Sequence, residues 1–119
     1  MLMAAPSSAF IAAESRFAAS VGVPGTLVFG NKRCAARIYT ERGQVFQMEG
    51  GSQQSRTLNA IVLCALLAAP QLIDANGETR PILVTHVESG LVYRIDTGGV
   101  NQSPYGVYWE LSCSQPTAQ

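Results

Sequence analysis

The chain has 119 residues, which is enough for one domain with a single hydrophobic core. Apolar residues make up 47% of it and charged residues 13%, a composition that argues against a chain disordered throughout. Eight basic side chains balance eight acidic ones. A formal net charge of zero argues against a protein that clamps nucleic acid by neutralising phosphates, and it favours self-association.

The first twenty residues, "MLMAAPSSAFIAAESRFAAS", predict a short amphipathic helix over about residues 8–20. Ser7 or Ser8 is the expected N-cap, and Phe10 and Phe17 lie on one face at helical spacing. Gly22 provides a stop signal. The segment has no basic n-region and no Lys/Arg-rich polar face, so we expect it to pack on the domain and not to act as a signal peptide or a membrane-surface helix.

A β-hairpin is predicted next, from the segments "TLVF", "GNKR" and "CAARIY". Gly30 and Asn31 form a dipeptide typical of a tight turn. The following segment, "ERGQVFQMEGGSQQS", has no sustained period, and we interpret residues 41–56 as one long polar loop.

The second half of the chain is richer in strand signals. Residues 57–66 predict a strand buried on both faces, and the ten apolar residues "IVLCALLAAP" are too few to span a membrane, which takes about 20. Residues 82–87 and 91–97 predict a second hairpin, and "YGVYWELSC" alternates with Trp109 on the apolar face. Residues 114–119 read as a polar tail.

These elements predict one domain, residues 1–119. The fold class is mainly β: a small antiparallel β-barrel or sandwich of five to six strands, with a short N-terminal helix and one long loop. Trp109 and Tyr93 are expected in its core.

Candidate catalytic and metal-binding groups are sparse. The three cysteines, Cys34, Cys64 and Cys113, form no CxxC pair, and His86 is the only histidine. We expect reduced core thiols in a protein assembled in the cytosol, in preference to one disulfide or a zinc site. His86 is interpreted as a sheet residue with a satisfied ring, and Asp74 as a turn residue. We therefore predict no enzyme activity, no catalytic or metal site, and no cofactor.

Three basic residues lie in the first hairpin: Lys32, Arg33 and Arg37. Without interleaved aromatic residues they favour a solvated hairpin edge over a nucleic-acid site. In a ring that surrounds DNA, the same residues are candidates for the lining of the channel.

The predicted long loop is the candidate interaction site. Loops longer than about 12–15 residues in a small domain are usually functional or disordered. Here an apolar island stands among glycines and glutamines, which suggests a segment that folds on a partner. The alternative is an insertion with no role. The candidate assembly residues are Gln44, Val45, Phe46, Met48, Gly50, Gly51, Gln53 and Gln54.

The order of these segments resembles the small head–tail joining (neck) proteins of long-tailed, lambda-like bacteriophages. The resemblance runs from "FIAAESRFAASVG" through "GTLVFGNKRCAARIY" and "NAIVLCALLAAP" to "ILVTHVESGLVYRIDTGGVNQSPYGVYWELSC". Its most specific part is the final strand pair, where Tyr93, Ile95, Asp96, Trp109 and Leu111 occupy the family's pattern positions. The chain departs from that pattern at "DANGETRP", where a Gly-Asp pair is common in the family.

The resemblance implies a non-enzymatic structural protein of the virion neck, assembled in the host cytoplasm as a homo-oligomeric ring. Such a ring joins the DNA-filled head, through the portal or a head-completion adaptor, to the tail terminator or tail-tube protein. It involves no membrane, and DNA passing through it is contacted without sequence specificity. The alternatives are a tail-terminator-like or other small β-barrel adaptor without catalytic activity, and an enzyme or nucleic-acid binder whose site is hidden.

Overall fold

A computed structural model describes residues 4–48 and 51–115 and shows six antiparallel strands closed into a barrel in the order β1-β2-β3-β6-β5-β4. The mainly β prediction is confirmed, in its barrel form. The elements are α1 (Ala4–Ser20), β1 (Val23–Phe29), β2 (Lys32–Met48), β3 (Gly51–Leu63), α2 (Ala69–Leu72), β4 (Leu83–His86), β5 (Leu91–Gln102) and β6 (Tyr108–Ser114).

The core fills the inside of the barrel with alternate side chains from each strand. On β6 the residues Trp109, Leu111 and Cys113 are buried, as the alternation predicted, and Tyr93 of β5 is completely buried. The indole Nε1 of Trp109 donates a hydrogen bond of 2.7 Å to the carbonyl oxygen of Leu67. This bond ties the segment after β3 to the core, because a buried indole N–H needs an acceptor.

The first hairpin forms as predicted, with a two-residue turn between Phe29 and Lys32. Of the two turn residues, only Gly30 has a positive φ, +64°. A positive φ at the first central position is the pattern of a type II′ turn, whose twist matches that of the flanking strands.

Helix α1 lies on the outside of the barrel and explains a run of buried residues in β3. Ala60, Ile61 and Val62 are all buried, although successive strand residues point to opposite faces. Ile61 stands outside the core cluster that fills the barrel, and the helix contacts β2, β3 and β6. The prediction of a strand buried on both faces is therefore confirmed over these three residues.

Several predicted boundaries were wrong. Helix α1 begins at Ala4, so neither Ser7 nor Ser8 is its N-cap, since both lie within the helix. Strand β3 ends at Leu63, and β5 continues to Gln102 through a register shift between Ile95 and Val100. Backbone pairing with β6 extends β5 past Gly98 and Gly99, which read as loop residues in isolation.

The prediction of a loop over residues 41–56 was also wrong. Strand β2 continues to Met48 and β3 begins at Gly51, with a register that runs from Gln44↔Ser55 to Met48↔Gly51. Backbone N–H and C=O groups make these pairs, and the sequence of this segment lacks the apolar alternation that reveals a half-buried strand. We call the paired residues 43–48 and 51–56 the arm.

The glycine between α1 and β1 is predicted to be indispensable for steric reasons. Gly22 has φ +60°, and a Cβ atom added there would lie 2.3 Å from the carbonyl oxygen of Ile38. We expect Gly22→Ala to lower the free energy of unfolding by about 3 kcal/mol, since backbone strain and a clash add together. Chemical denaturation measures the loss.

The matched control is Gly30→Ala. Gly30 has a similar φ, +64°, but nothing lies within 4 Å of an added Cβ atom. It should lose only the cost of the left-handed conformation, about 1 kcal/mol. Equal losses in the two variants would contradict the steric argument.

Candidate assembly site at the arm and its root

The arm is the one stretch of the described β-structure that extends beyond the barrel wall as a two-stranded ribbon. Pairing of β1 with β2 ends at Val23↔Ile38, and pairing of β6 with β3 ends at Thr57↔Ser114. Six residues on each arm strand correspond to a ribbon about 20 Å long. At the root of the arm the amide of Gln115 donates a 2.9 Å hydrogen bond to the carbonyl of Arg56. Further out, in the part of the chain that the structure describes, no third strand pairs with the arm, so its backbone donors and acceptors are open on both outer edges.

The structure brings most of the predicted assembly residues together in this ribbon. Val45 faces Gln54, Phe46 faces Gln53, and Met48 faces Gly51 in the register. Gln44 is paired with Ser55, one position nearer the barrel. Gly50 lies outside the described residues.

The predicted DNA-channel residues lie outside the arm, and the three side chains have different surroundings. Lys32 and Arg33 are exposed beside the β1–β2 turn, at the opposite end of β2 from the arm. Arg37 has a structural role: its Nε donates 2.8 Å to the carbonyl of Val21, and its Nη2 donates 3.2 Å to that of Gly22. Its guanidinium thus satisfies carbonyls at the end of α1, a use that the sequence did not reveal.

A polar network closes the barrel where the arm begins, and its centre is Glu41 on β2. The Glu41 carboxylate accepts hydrogen bonds from the Tyr93 hydroxyl (2.6 Å) and the Ser89 hydroxyl (2.8 Å). Its Oε1 atom also lies 3.0 Å from Nδ1 of His86. The β4–β5 turn and strand β5 are thereby joined to the strand that continues into the arm.

The network shifts the pKa values of its members. Burial raises the pKa of Glu41, but the hydrogen bonds from Tyr93, His86 and Ser89 outweigh that effect and hold the pKa below its ordinary value. Burial, followed by the hydrogen bond to Glu41, raises the pKa of Tyr93 to about 12. At neutral pH the pair is therefore a carboxylate and a neutral phenol, the combination that makes a strong, short hydrogen bond.

His86 is buried, with a polar group at each ring nitrogen, which confirms its interpretation as a satisfied sheet residue. Its Nδ1 meets Glu41 and Ser89, and its Nε2 lies 3.4 Å from Oε1 of Glu88. A Ser-His-acid triad places the nucleophile and the acid on opposite nitrogens. Here Ser89 and Glu41 share one nitrogen, so this geometry does not suit nucleophilic catalysis.

The three cysteines lie outside the polar network around Glu41. All three are free, with Cys34 and Cys113 buried. Burial, with a smaller effect from Asp96, raises the pKa of Cys113 to about 12, which leaves it a poor nucleophile. Among residues 4–48 and 51–115, no group of three or more His, Cys, Asp and Glu side chains could hold a metal ion.

Helix α1 presents a second candidate surface. Its residues Phe10, Ile11 and Phe17 are 50%, 43% and 44% exposed, although Phe10 stacks on Tyr105 and Phe17 packs against Tyr108. Beside the helix, an apolar groove of about 290 Å³ crosses the outer faces of the first three strands. The groove is lined by Ala18, Ala19, Pro24, Gly25, Ala35, Ala36, Arg37, Ile61, Leu63 and Leu66. No helix in the described part of the chain is both long and apolar enough to cross a membrane.

Comparison with known proteins gives no relative: no family model, no curated protein and no solved structure matches this chain.

Glu41 is predicted to stabilise the fold through its charge. We expect Glu41→Gln to lower the free energy of unfolding by about 2 kcal/mol at pH 7, because three donors lose a charged acceptor. Because the folded-state pKa lies below the ordinary 4.5, this stabilisation is complete above that pH and is lost as the pH falls through the lower folded-state value. Denaturant titrations from pH 7 to pH 3 should show the two proteins converging.

Glu78→Gln is the control for this measurement, because Glu78 is an exposed carboxylate in the turn that follows α2. It should change stability by less than about 0.5 kcal/mol. A difference between wild type and Glu41→Gln that stays constant down to pH 3 would show that charge is not the cause.

Proposed function

We propose that this protein is a structural, non-enzymatic component of a bacteriophage neck, which assembles as a ring and joins the DNA-filled head to the tail. The observation that carries the proposal is the arm: a ribbon with two open edges on a barrel whose remaining strands are all paired. The resemblance of the strand pattern to neck proteins supplies the phage context.

The first step of the argument is energetic. A two-stranded ribbon is marginally stable in water by itself, and no third strand adds backbone pairing to the outer part of the arm. Open β-edges are templates for pairing with another chain. The arm is therefore suited to gain stability on a partner, as the loop hypothesis proposed, but as a preformed hairpin whose edges are the binding groups.

The second step concerns the number of copies. A single edge contact provides only a few hydrogen bonds, each worth about 1 kcal/mol net. A ring presents many identical arms to a neighbouring ring, so modest contacts add up to tight attachment. The apolar surface of α1 is a further candidate for contact between copies, because exposed apolar patches often mark interfaces.

The arm is tested by shortening it. We replace residues 45–54 with Asn-Gly, which joins Gln44 to Ser55 through a type I′ turn and keeps the inner register. In a phage that carries the gene, we expect full heads and free tails to accumulate separately in electron micrographs, with infectious particles reduced at least about 100-fold, since many contacts are lost together.

Two controls make the result specific. The purified short-arm protein should keep the circular dichroism spectrum and the cooperative unfolding of the wild type, because the barrel is complete without the arm. A second variant exchanges Gln53 and Gln54 for threonine and preserves the backbone edges, so it should still join heads to tails. Normal yields of joined particles from the short-arm phage would overturn the proposal, and tails of altered length would favour the tail-terminator alternative.

The helix surface gives an independent prediction. Ile11→Asp should leave the free energy of unfolding within about 0.5 kcal/mol of wild type, since Ile11 is 43% exposed in the single chain. It should weaken ring formation, measured by light scattering after size-exclusion chromatography. Ala12→Asp, at an exposed neighbouring position, is the matched control for added charge. An equal loss of assembly in both variants would mean that charge and not the apolar contact is responsible.

A further inference from the structure

The loop between α2 and β4 contains an asparagine followed by a glycine, Asn76 and Gly77, and both residues are exposed. Every other asparagine in the sequence precedes a residue that carries a side chain. Glycine has no Cβ atom, so its backbone nitrogen is the least hindered partner for the side-chain amide of a preceding asparagine. This pair is therefore the place in the chain where cyclisation of an asparagine meets the least steric resistance.

Such a cyclisation removes the side-chain amide in two steps. The backbone nitrogen of Gly77 gives its proton to solvent and attacks Cγ of Asn76, so that a C–N bond forms and the side-chain nitrogen leaves as ammonia. Water then opens the cyclic imide at one of its two carbonyls, which leaves aspartate or isoaspartate at position 76. Nothing is oxidised or reduced, and water is the only co-reactant.

The folded loop opposes the first of these steps. The amide of Gly77 donates a 3.0 Å hydrogen bond to the carbonyl of Asp74, so the attacking nitrogen is held in a turn. Among the described residues only glycines have positive φ, which makes this hydrogen-bonded turn type I. Ring closure needs the Cβ atom of Asn76 eclipsed with the Gly77 nitrogen, a torsion that the ψ of about 0° at this turn position excludes.

The carboxylate of Asp74 holds the turn closed. Its Oδ1 atom accepts hydrogen bonds from the amides of Asn76 (2.9 Å) and Glu78 (3.0 Å). The amide of Asp74 in turn donates 2.8 Å to the carbonyl of Glu78, and an isolated bridge between Ile73 and Thr79 closes the loop. The attacking nitrogen is therefore released only when several of these bonds open together.

We infer that Asn76 is a site of spontaneous deamidation and that opening of the turn held by Asp74 sets its rate. Deamidation adds a third carboxylate to a loop that already carries Asp74 and Glu78. In the isoaspartate product the main chain also gains one carbon atom, so the Gly77 amide no longer meets the Asp74 carbonyl in the same register. The inference goes beyond the proposed function and does not depend on it.

The experiment follows the full chain at mildly alkaline pH, folded and in urea. Mass spectrometry of its peptides, with fragmentation that separates aspartate from isoaspartate, should find the modification at Asn76 before any other asparagine. Hydrogen exchange of the Gly77 amide measures the fraction of time that the turn is open. The deamidation rate of the folded chain, divided by the rate in urea, should equal that fraction within about threefold.

Two substitutions of Asp74 separate the turn from its charge. Asp74→Ala removes both side-chain hydrogen bonds and should speed deamidation of the folded protein about tenfold. Asp74→Asn keeps an oxygen acceptor and should stay within about threefold of the wild type. In urea the three proteins should react alike, because no turn remains. Asn76→Gln should abolish the modification, since its cyclisation would need a larger ring.

Several results would overturn the inference. One is an equal rate in folded wild type and Asp74→Ala, and another is a folded wild type that reacts as fast as it does in urea. Asp74→Asn as fast as Asp74→Ala would assign the effect to charge and not to the turn. Earlier modification of Asn31 or Asn101 would place the site elsewhere. Should Asp74→Ala fail to fold, the exchange measurement on the wild type decides the question alone.

Discussion

The pairing of β2 with β3 is the constraint on which the rest of this structure depends. It begins in the barrel wall at Arg37↔Ile61, where β1 and β6 flank it, and beyond Thr57 it continues without a third strand to Met48↔Gly51. One continuous ladder thus forms part of the barrel and all of the arm. Its register shift, between Ile38 and Thr40, lies near the point where β1 stops pairing with β2, so the strand is free to depart from the barrel's curvature there.

The polar network at Glu41 follows from that departure. Where the arm leaves the barrel, the apolar core ends. The carboxylate of Glu41 lies at that point, with three polar side chains around it. The Glu41 side chain is only 16% exposed, so its carboxylate needs hydrogen-bond partners, which Tyr93, Ser89 and His86 supply. Tyr93 links the two regions, because its ring is completely buried in the core while its hydroxyl reaches Glu41.

The sequence predicted those elements whose side chains carry a periodic signal. Trp109, Leu111 and Cys113 alternate along β6, and Phe10 and Phe17 are spaced as in a helix, so both elements were found. The arm was missed because its residues show no sustained apolar period, which is the signal that predicts a strand from sequence. The partners of Glu41 were missed because Ser89 and Tyr93 are 48 and 52 residues away along the chain, and only barrel closure brings them together.

Arg37 shows that a cluster of charged residues in the sequence does not predict what each of them contacts. Three clustered basic residues look equivalent in the sequence, but β2 separates their surroundings along about 13 Å, since Arg33 and Arg37 are four residues apart. Arg37 is committed to the end of α1, and only Lys32 and Arg33 remain exposed. Net charge and local clustering do not reveal which cations are already engaged.

Barrel closure also bears on how copies of this protein would associate. A closed barrel leaves no edges in its wall, so β-pairing between copies is restricted to the arm at one end, while the apolar surface of α1 lies on the side. In the proposed ring these two different surfaces would serve different neighbours. Contacts between unlike surfaces are heterologous, and repetition of a heterologous contact closes into a ring when the rotation permits. The proposed ring therefore requires the arm of one copy to meet a different surface of its neighbour, whereas an arm that paired with the same edge of a second copy would give a closed dimer.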